Sequence, residues 1–197
     1  MGPFAKGKET SMKHLAILTI TLLTFAGSSI ALEVEGVDIS ATTELTGETL
    51  HLNGYGIRKK IIFIKVYVGS LYTEAKAKST AEVLALEGSK LIRMNFLYKE
   101  VEKKKIVDAF AEGFEANSPD LVATPPVRQF LALFKKDFVA GDQVDIALDR
   151  GGTVRVLLNG ACLGKVKSAK LARGILLIYL GDEPADEEMK TGMLGQT

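Results

Sequence analysis

One run of this sequence constrains the fold more than any other. Lys60 to Tyr72, KIIFIKVYVGSLY, is β-forming and apolar on both of its alternating faces. One set is Ile62, Ile64, Val66 and Val68, and the other is Ile61, Phe63, Lys65, Tyr67 and Leu71. A strand that is apolar on both sides has to be covered on both sides. The run therefore predicts a central strand, with helices or a ligand against at least one face. Thr42 to Leu52 alternates loosely and ends at Asn53-Gly54, a turn signal, so Arg58 is expected just beyond a turn. It is either a solvated charge or a group reaching into a site that the next strand lines. Lys65 lies between Phe63 and Tyr67, where an unpaired ammonium would be costly; it must pair, snorkel, sit at an exposed edge or meet a polar ligand. Tyr67 shares the parity of Lys65 and Phe63, whereas Tyr72 has the opposite parity, so the two tyrosines cannot line one cleft.

The rest of the chain alternates between the two periods. Ser79 to Leu86 is a short helix with Ser79 or Thr80 as cap and Glu82 in support. Ser89 to Tyr98 is a second strand that buries Ile92, Met94, Phe96 and Tyr98. Glu102 to Asn117 is helical, with Ile106, Val107, Phe110 and Phe114 at helical spacing. The triplet Lys103–Lys105 sits beside Glu100 and Glu102 and reads as a solvated helix face. Thr124-Pro125 opens a helix with the stripe Val127, Phe130, Leu131 and Phe134. From Val144 the period becomes two, and Asn159-Gly160 is a two-residue hairpin turn in an antiparallel meander. Ser168 to Leu180 is a last long helix closed by Gly181, and the acidic tail from Asp182 is expected to be loose. Strands, helices, a hairpin pair and a helix in that order predict an α+β fold.

The start of the chain reads as a processing segment. Met12-Lys13-His14 is a short basic start, Leu15 to Ala26 is an apolar run, and Ser29 and Ala31 flank Ile30 as small residues. That is the order of a secretory signal, and the run is shorter than the ~20 residues of a spanning helix. The expected organisation is an upstream extension plus signal peptide over 1–31 and a single domain over 32–197. A cleaved signal makes the product periplasmic or secreted and leaves no stable membrane span; an uncleaved anchor is the alternative. Three of the 25 basic and one of the 24 acidic residues precede residue 32, leaving 22 against 23. A balance so even argues against a nucleic-acid binder. Beyond residue 31 the only histidine is His51, expected on a strand surface, and the only cysteine is Cys162. No His- or Cys-rich metal site can be assembled from them, no internal disulfide can form, and no cofactor motif is present. Cys162 lies among small and apolar residues and is expected to be buried.

The order of residues Gly47, Leu50, Leu52, Asn53, Gly54, Gly56, Arg58, then Lys65, Val66, Tyr67, Val68, Leu71 and Tyr72, resembles the chalcone isomerase-like proteins, in particular their bacterial exported branch. Phe130 to Gly160 and the helix Ala169–Leu180 continue the resemblance over the whole segment past residue 31. It implies a chalcone isomerase-like open-faced antiparallel β-sheet layered with α-helices, with a cleft between sheet and helices. The family includes isomerases that close a chalcone to a flavanone, fatty-acid-binding members, and members without known activity. The isomerases place an arginine of the cleft where this chain has Arg58. A guanidinium there can stabilise a developing oxyanion or clamp a carboxylate through two parallel hydrogen bonds. The other isomerase positions depart: Tyr67 stands for a threonine, Val101 and Asp108 for a tyrosine and an asparagine, and the Ala172–Arg173 region for a polar pair. Such a chain is expected to be a non-catalytic relative. The implied ligand set is Arg58, Lys65 and Tyr67, with Lys99 as a second cation at the cleft mouth, around a small amphipathic, fatty-acid-like molecule. Two alternatives stay open: a chalcone-type intramolecular lyase using Arg58, and a structural protein that binds a protein partner of unknown kind.

Overall fold

The structure, a computed structural model, describes residues 1–2, 31–60 and 63–196. The expected signal segment therefore lies outside the described residues, as do Ile61 and Ile62 of the central run. Among the described residues eleven strands and five α-helices follow in order: β1 (Ala31–Val34), β2 (Val37–Ser40), β3 (Thr42–Leu45), β4 (Glu48–Lys60), β5 (Ile64–Thr73), α1 (Thr80–Ala85), β6 (Lys90–Phe96), β7 (Glu100–Val101), α2 (Lys103–Asn117), α3 (Pro125–Leu131), β8 (Phe138–Val139), β9 (Gln143–Leu148), β10 (Thr153–Leu158), β11 (Ala161–Lys167), α4 (Ala169–Leu180) and α5 (Glu187–Met193). Seven strands form one antiparallel sheet in the order β11-β10-β9-β6-β5-β4-β3. The fold is α+β, and β5 is interior, as its two apolar faces require.

Both faces of the sheet are covered. On one side the aliphatic residues of β5, β6, β9 and β10 pack against Ile106, Phe110 and Phe114 of α2, Phe130 of α3, and Ile175, Ile178 and Tyr179 of α4. Phe110, Phe114, Phe130 and Phe134 meet edge-on or stacked, with centroids 5.1 to 6.2 Å apart, the separations aromatic pairs prefer. On the other side the β1–β2 hairpin lays Val34, Val37 and Ile39 over Leu50, Val68, Tyr72 and Leu91. The Tyr72 hydroxyl ties this hairpin down by donating to the Ser40 carbonyl at 3.0 Å. All residues of both cores fall between Val34 and Leu194, so that stretch carries a core of its own. No helix among the described residues is long and apolar enough to cross a membrane.

Local capping follows the sequence. Ser79 Oγ accepts from the Glu82 amide at 3.2 Å, and Ser168 Oγ accepts from the Leu171 amide at 3.1 Å, each satisfying an orphan donor of a first helical turn. Asn159 (φ 51°) and Gly160 (φ 80°) both adopt the left-handed conformation of a type I′ hairpin turn.

Four expectations are corrected. Asn53-Gly54 is not a turn but lies inside β4; the chain reverses at Thr46-Gly47 (φ 52° and 80°) and again between Lys60 and Ile64. Asn53 is buried as an anchor instead. Its amide donates to the carbonyls of Ala77 (2.9 Å) and Met193 (2.8 Å), and its carbonyl accepts from the Ala77 amide (2.8 Å). Second, the central run is split: Lys60 closes β4 and β5 starts at Ile64. Third, the acidic tail is ordered. Asp186 Oδ1 caps α5 by accepting from the Met189 amide at 2.9 Å, and Met189 and Met193 are fully buried. The helix lies directly on bare backbone: a Cβ on Gly54 would stand 2.1 Å from the Gly192 carbonyl, and one on Gly56 2.5 Å from Met189 Cα. Fourth, Cys162 is exposed on β11, the edge strand, because the bulge between Val156 and Leu157 shifts the alternation there.

Candidate functional site

In β4 the residues Gly54, Gly56 and Arg58 alternate at the strand period and share one face. The two glycines form the bed of α5. Arg58, the next residue on that face, stands at the helix's capped end. Its Nη1 donates to Asp186 Oδ2 at 3.3 Å and to the Lys59 carbonyl at 3.1 Å. Both bonds use Nη1, so among the described residues Nε and Nη2 are left for a further acceptor. Across the ladder Arg58 is paired with Tyr67 of β5, and directly opposed residues of a pair project to the same side.

Arg58 and Tyr67 open onto a cavity of about 540 Å³ between the sheet and α2 and α4. Its walls are Ile64, Val66, Met94, Val101, Ile106, Ala109, Phe110 and Ile178, with Tyr179 beside Tyr67 and with Lys60, Tyr98, Glu100, Lys105, Asp108 and Glu112 among its polar lining. This is the size and make-up of a small-molecule site: apolar walls with a few placed polar groups.

Burial governs the two phenols. Desolvation pushes Tyr67 up to about 12, against smaller opposing effects of the Arg58 charge and a hydrogen bond to Tyr179. Tyr179 is raised well above the ordinary phenol value, first by desolvation and then by Tyr67; its hydroxyl donates to Met94 Sδ at 3.2 Å. At neutral pH both keep their protons; that of Tyr179 is engaged by Met94, which leaves the Tyr67 hydroxyl as the donor beside the Arg58 cation, an arrangement suited to an anionic oxygen. The same shift carries a stability prediction. The folded state holds the Tyr67 proton more tightly than the unfolded chain, so the stabilisation is complete below pH 10 and is lost as pH rises through about 12. The loss attributable to this group is on the order of 2–3 kcal/mol. Urea midpoints followed across the alkaline range should fall more steeply for the natural protein than for Tyr67→Phe; parallel curves would refute the assignment.

The structure brings Arg58, Tyr67, Val101 and Asp108 to one cavity but not Lys65 or Lys99. The reason for Lys65 is a β-bulge. Arg58 pairs with Tyr67 and Lys59 with Lys65, which leaves Val66 as the extra residue. Val66 and Tyr67 thus both line the cavity, and the parity that linked Lys65 to Tyr67 is broken. Lys65 lies outside, half exposed, with its Nζ 2.7 Å from Glu35 of the hairpin turn. Lys99 is exposed beyond the end of β6. The Ala172–Arg173 region lies outside the lining, and His51 is exposed. Asp186 escaped the sequence reading, although Asp186-Glu187-Glu188 ahead of Met189 and Met193 at i, i+4 carries a helix-start signal. Ile106 and Phe110, expected as core, are also cavity wall.

A family model described as chalcone isomerase-like matches residues 31–195. The chain is 25% identical over 206 residues to fatty-acid-binding protein 1 of Arabidopsis thaliana, covering 87% of this chain and 71% of that protein. It superposes on a crystal structure of an Arabidopsis thaliana fatty-acid binding protein with a TM-score of 0.65 at 21% identity, covering 85% of this chain and 96% of the other.

Proposed function

Because the chain belongs to the chalcone isomerase-like family, we propose that it is a non-catalytic carrier of a fatty acid or a similar amphipathic acid. The observation that carries this reading is the apolar cavity with Arg58 and Tyr67 side by side on one wall. In this reading the guanidinium presents Nε and Nη2 to the carboxylate, the Tyr67 hydroxyl donates a third hydrogen bond, and the alkyl chain runs along Ile64, Val66, Ile106 and Phe110. The relative named for fatty-acid binding supports it.

The test is native mass spectrometry of residues 32–197, followed by extraction and titration with fatty acids of increasing length. Each added methylene buried in the cavity is expected to tighten binding about fourfold, from about 0.8 kcal/mol each, until the cavity is full. A protein that isolates empty and takes up no fatty acid of any length would overturn the proposal.

Export belongs to the same proposal. The basic start at Met12–His14, the apolar run and the small residues to Ala31 support a periplasmic or secreted product of the bacterial exported branch, beginning at Leu32. Cell fractionation with intact-mass measurement checks it; an unprocessed chain retained in the cytoplasm would contradict it.

A further inference from the structure

Five large apolar side chains are exposed among the described residues, and two of them, Met1 and Leu32, lie near the chain's start. The other three gather at one rim. Phe63, 86% exposed, occupies the turn between β4 and β5. Tyr98, expected to be buried within the second strand, instead follows the end of β6 at Phe96 and is 38% exposed; its amide donates to the Val66 carbonyl of β5 at 3.2 Å. Val139, 47% exposed, is paired with Glu100 across β7 and β8. Phe63 precedes Val66 by three residues, the Val66 carbonyl accepts the Tyr98 amide, and Tyr98 precedes by two residues Glu100, the partner of Val139 in the separate β7–β8 pair. The cavity reaches the same end, since Lys60, Ile64, Tyr98 and Glu100 are all part of its lining.

Lysines accompany each of these three residues. Lys59 and Lys60 precede the Phe63 turn, Lys99 follows Tyr98, and Lys135 and Lys136 come shortly before Val139. Lys60, Lys99, Lys135 and Lys136 are exposed. The acids here are Glu100, Glu102, Asp137, Asp142 and Glu188: Asp137 accepts from the Lys103 amide at 2.8 Å, Asp142 pairs with Lys136 at 4.0 Å and Glu188 with Lys59 at 2.6 Å, which leaves Lys60, Lys99 and Lys135 as the lysines with no ion-pair partner among the described residues. Exposed apolar tips ringed by lysines are what an interface of acyl chains and anionic headgroups accommodates: the tips enter the acyl boundary and the ammonium groups stay at the phosphates. A tyrosine at the boundary suits that layer, with its ring apolar and its hydroxyl wet.

We infer that this rim docks the protein on an anionic lipid bilayer, with the cavity facing the membrane. The inference rests on the carrier reading for its purpose, a route for an acyl chain between bilayer and cavity that avoids water, but its measurement is independent of that reading. Residues 32–197, which carry both cores, are floated with vesicles of phosphatidylethanolamine and phosphatidylglycerol, and separately with vesicles of phosphatidylcholine alone. Binding is expected to the anionic vesicles only and to fall with added salt. Phe63→Ser is expected to weaken it roughly tenfold or more, and Lys135→Gln with Lys136→Gln roughly fivefold per charge. Both variants should keep the fatty-acid affinity of the natural protein, because none of the three residues lines the cavity. No vesicle binding, equal binding to both vesicle types, or binding unchanged in Phe63→Ser would each overturn the docking surface. A protein that docks but takes up no fatty acid would retain the surface and overturn the carrier reading.

Discussion

Arg58→Ala is expected to weaken fatty-acid binding by roughly ten- to a hundredfold, the lower part of the range for removing one member of a hydrogen-bonded charge pair, because the Arg58 side chain is 32% exposed. The proposed carboxylate would lose a two-pronged donor that water reaching the partly exposed site replaces only in part. Arg58→Lys should recover only part of the affinity, because an ammonium keeps the charge but not the planar fork. The decisive comparison is between an acid and its methyl ester. The natural protein should prefer the acid strongly, and Arg58→Ala should bind the two alike. Asp186→Asn serves as the control for folding, since it removes the ion-pair partner (Nη1 to Oδ2, 3.3 Å) while leaving the guanidinium in place. It should keep the preference for the acid. Fatty-acid affinity unchanged by Arg58→Ala would mean that the head group lies elsewhere.

Gly192→Val should produce the largest loss of stability. Its Cβ would stand 2.1 Å from the Tyr55 carbonyl and 3.2 Å from Gly56 Cα, and strand backbone cannot swing aside as a side chain can. Either the helix lifts or the strand distorts. Overpacking of this kind costs roughly 1–3 kcal/mol. Lifting α5 also exposes Met189 and Met193, both fully buried, at roughly 1.5–3 kcal/mol each. A total loss of about 3 kcal/mol or more is expected in urea unfolding, together with new protease cleavage after Leu180. A variant within about 0.5 kcal/mol of the natural protein, the range of an ordinary surface change, would show that the contact is not tight.

Much of this architecture can be read from residue periodicity. The stripe Ile106, Phe110, Phe114 specifies α2, the alternation Val144, Ile146, Leu148 specifies β9, and Asn159-Gly160 specifies the turn before β11. These are local signals, each decided within a few residues. The failures share a cause of another kind. Asn53-Gly54 has turn composition, yet it serves a contact with a helix some 140 positions away: the Asn53 amide binds the Met193 carbonyl, and Gly54 makes room for Gly192. The short helix α5 gains its stability from that same contact more than from its own seven residues. Of the candidate site, Arg58 was suggested by the family resemblance and Tyr67 by a parity with Lys65 that the bulge breaks; their pairing across β4 and β5 appears only once the two strands are aligned. Lys65 was misplaced because a bulge is a property of two strands together, and the count along one strand does not reveal it.

The bulge at Val66 has a bearing on how such a cavity can change over evolutionary time. On either side of it the strand presents opposite parities, so the residues offered to the ligand depend on where the surplus residue sits as much as on which residues are present. Inserting one residue into β4 opposite Val66, between Arg58 and Lys59, would restore regular pairing and turn Lys65 to the face of Tyr67 and Val66 away from it. In this fold a one-codon insertion in one strand can therefore exchange the polarity of a cavity wall built by its neighbour, with every residue of that neighbour unchanged.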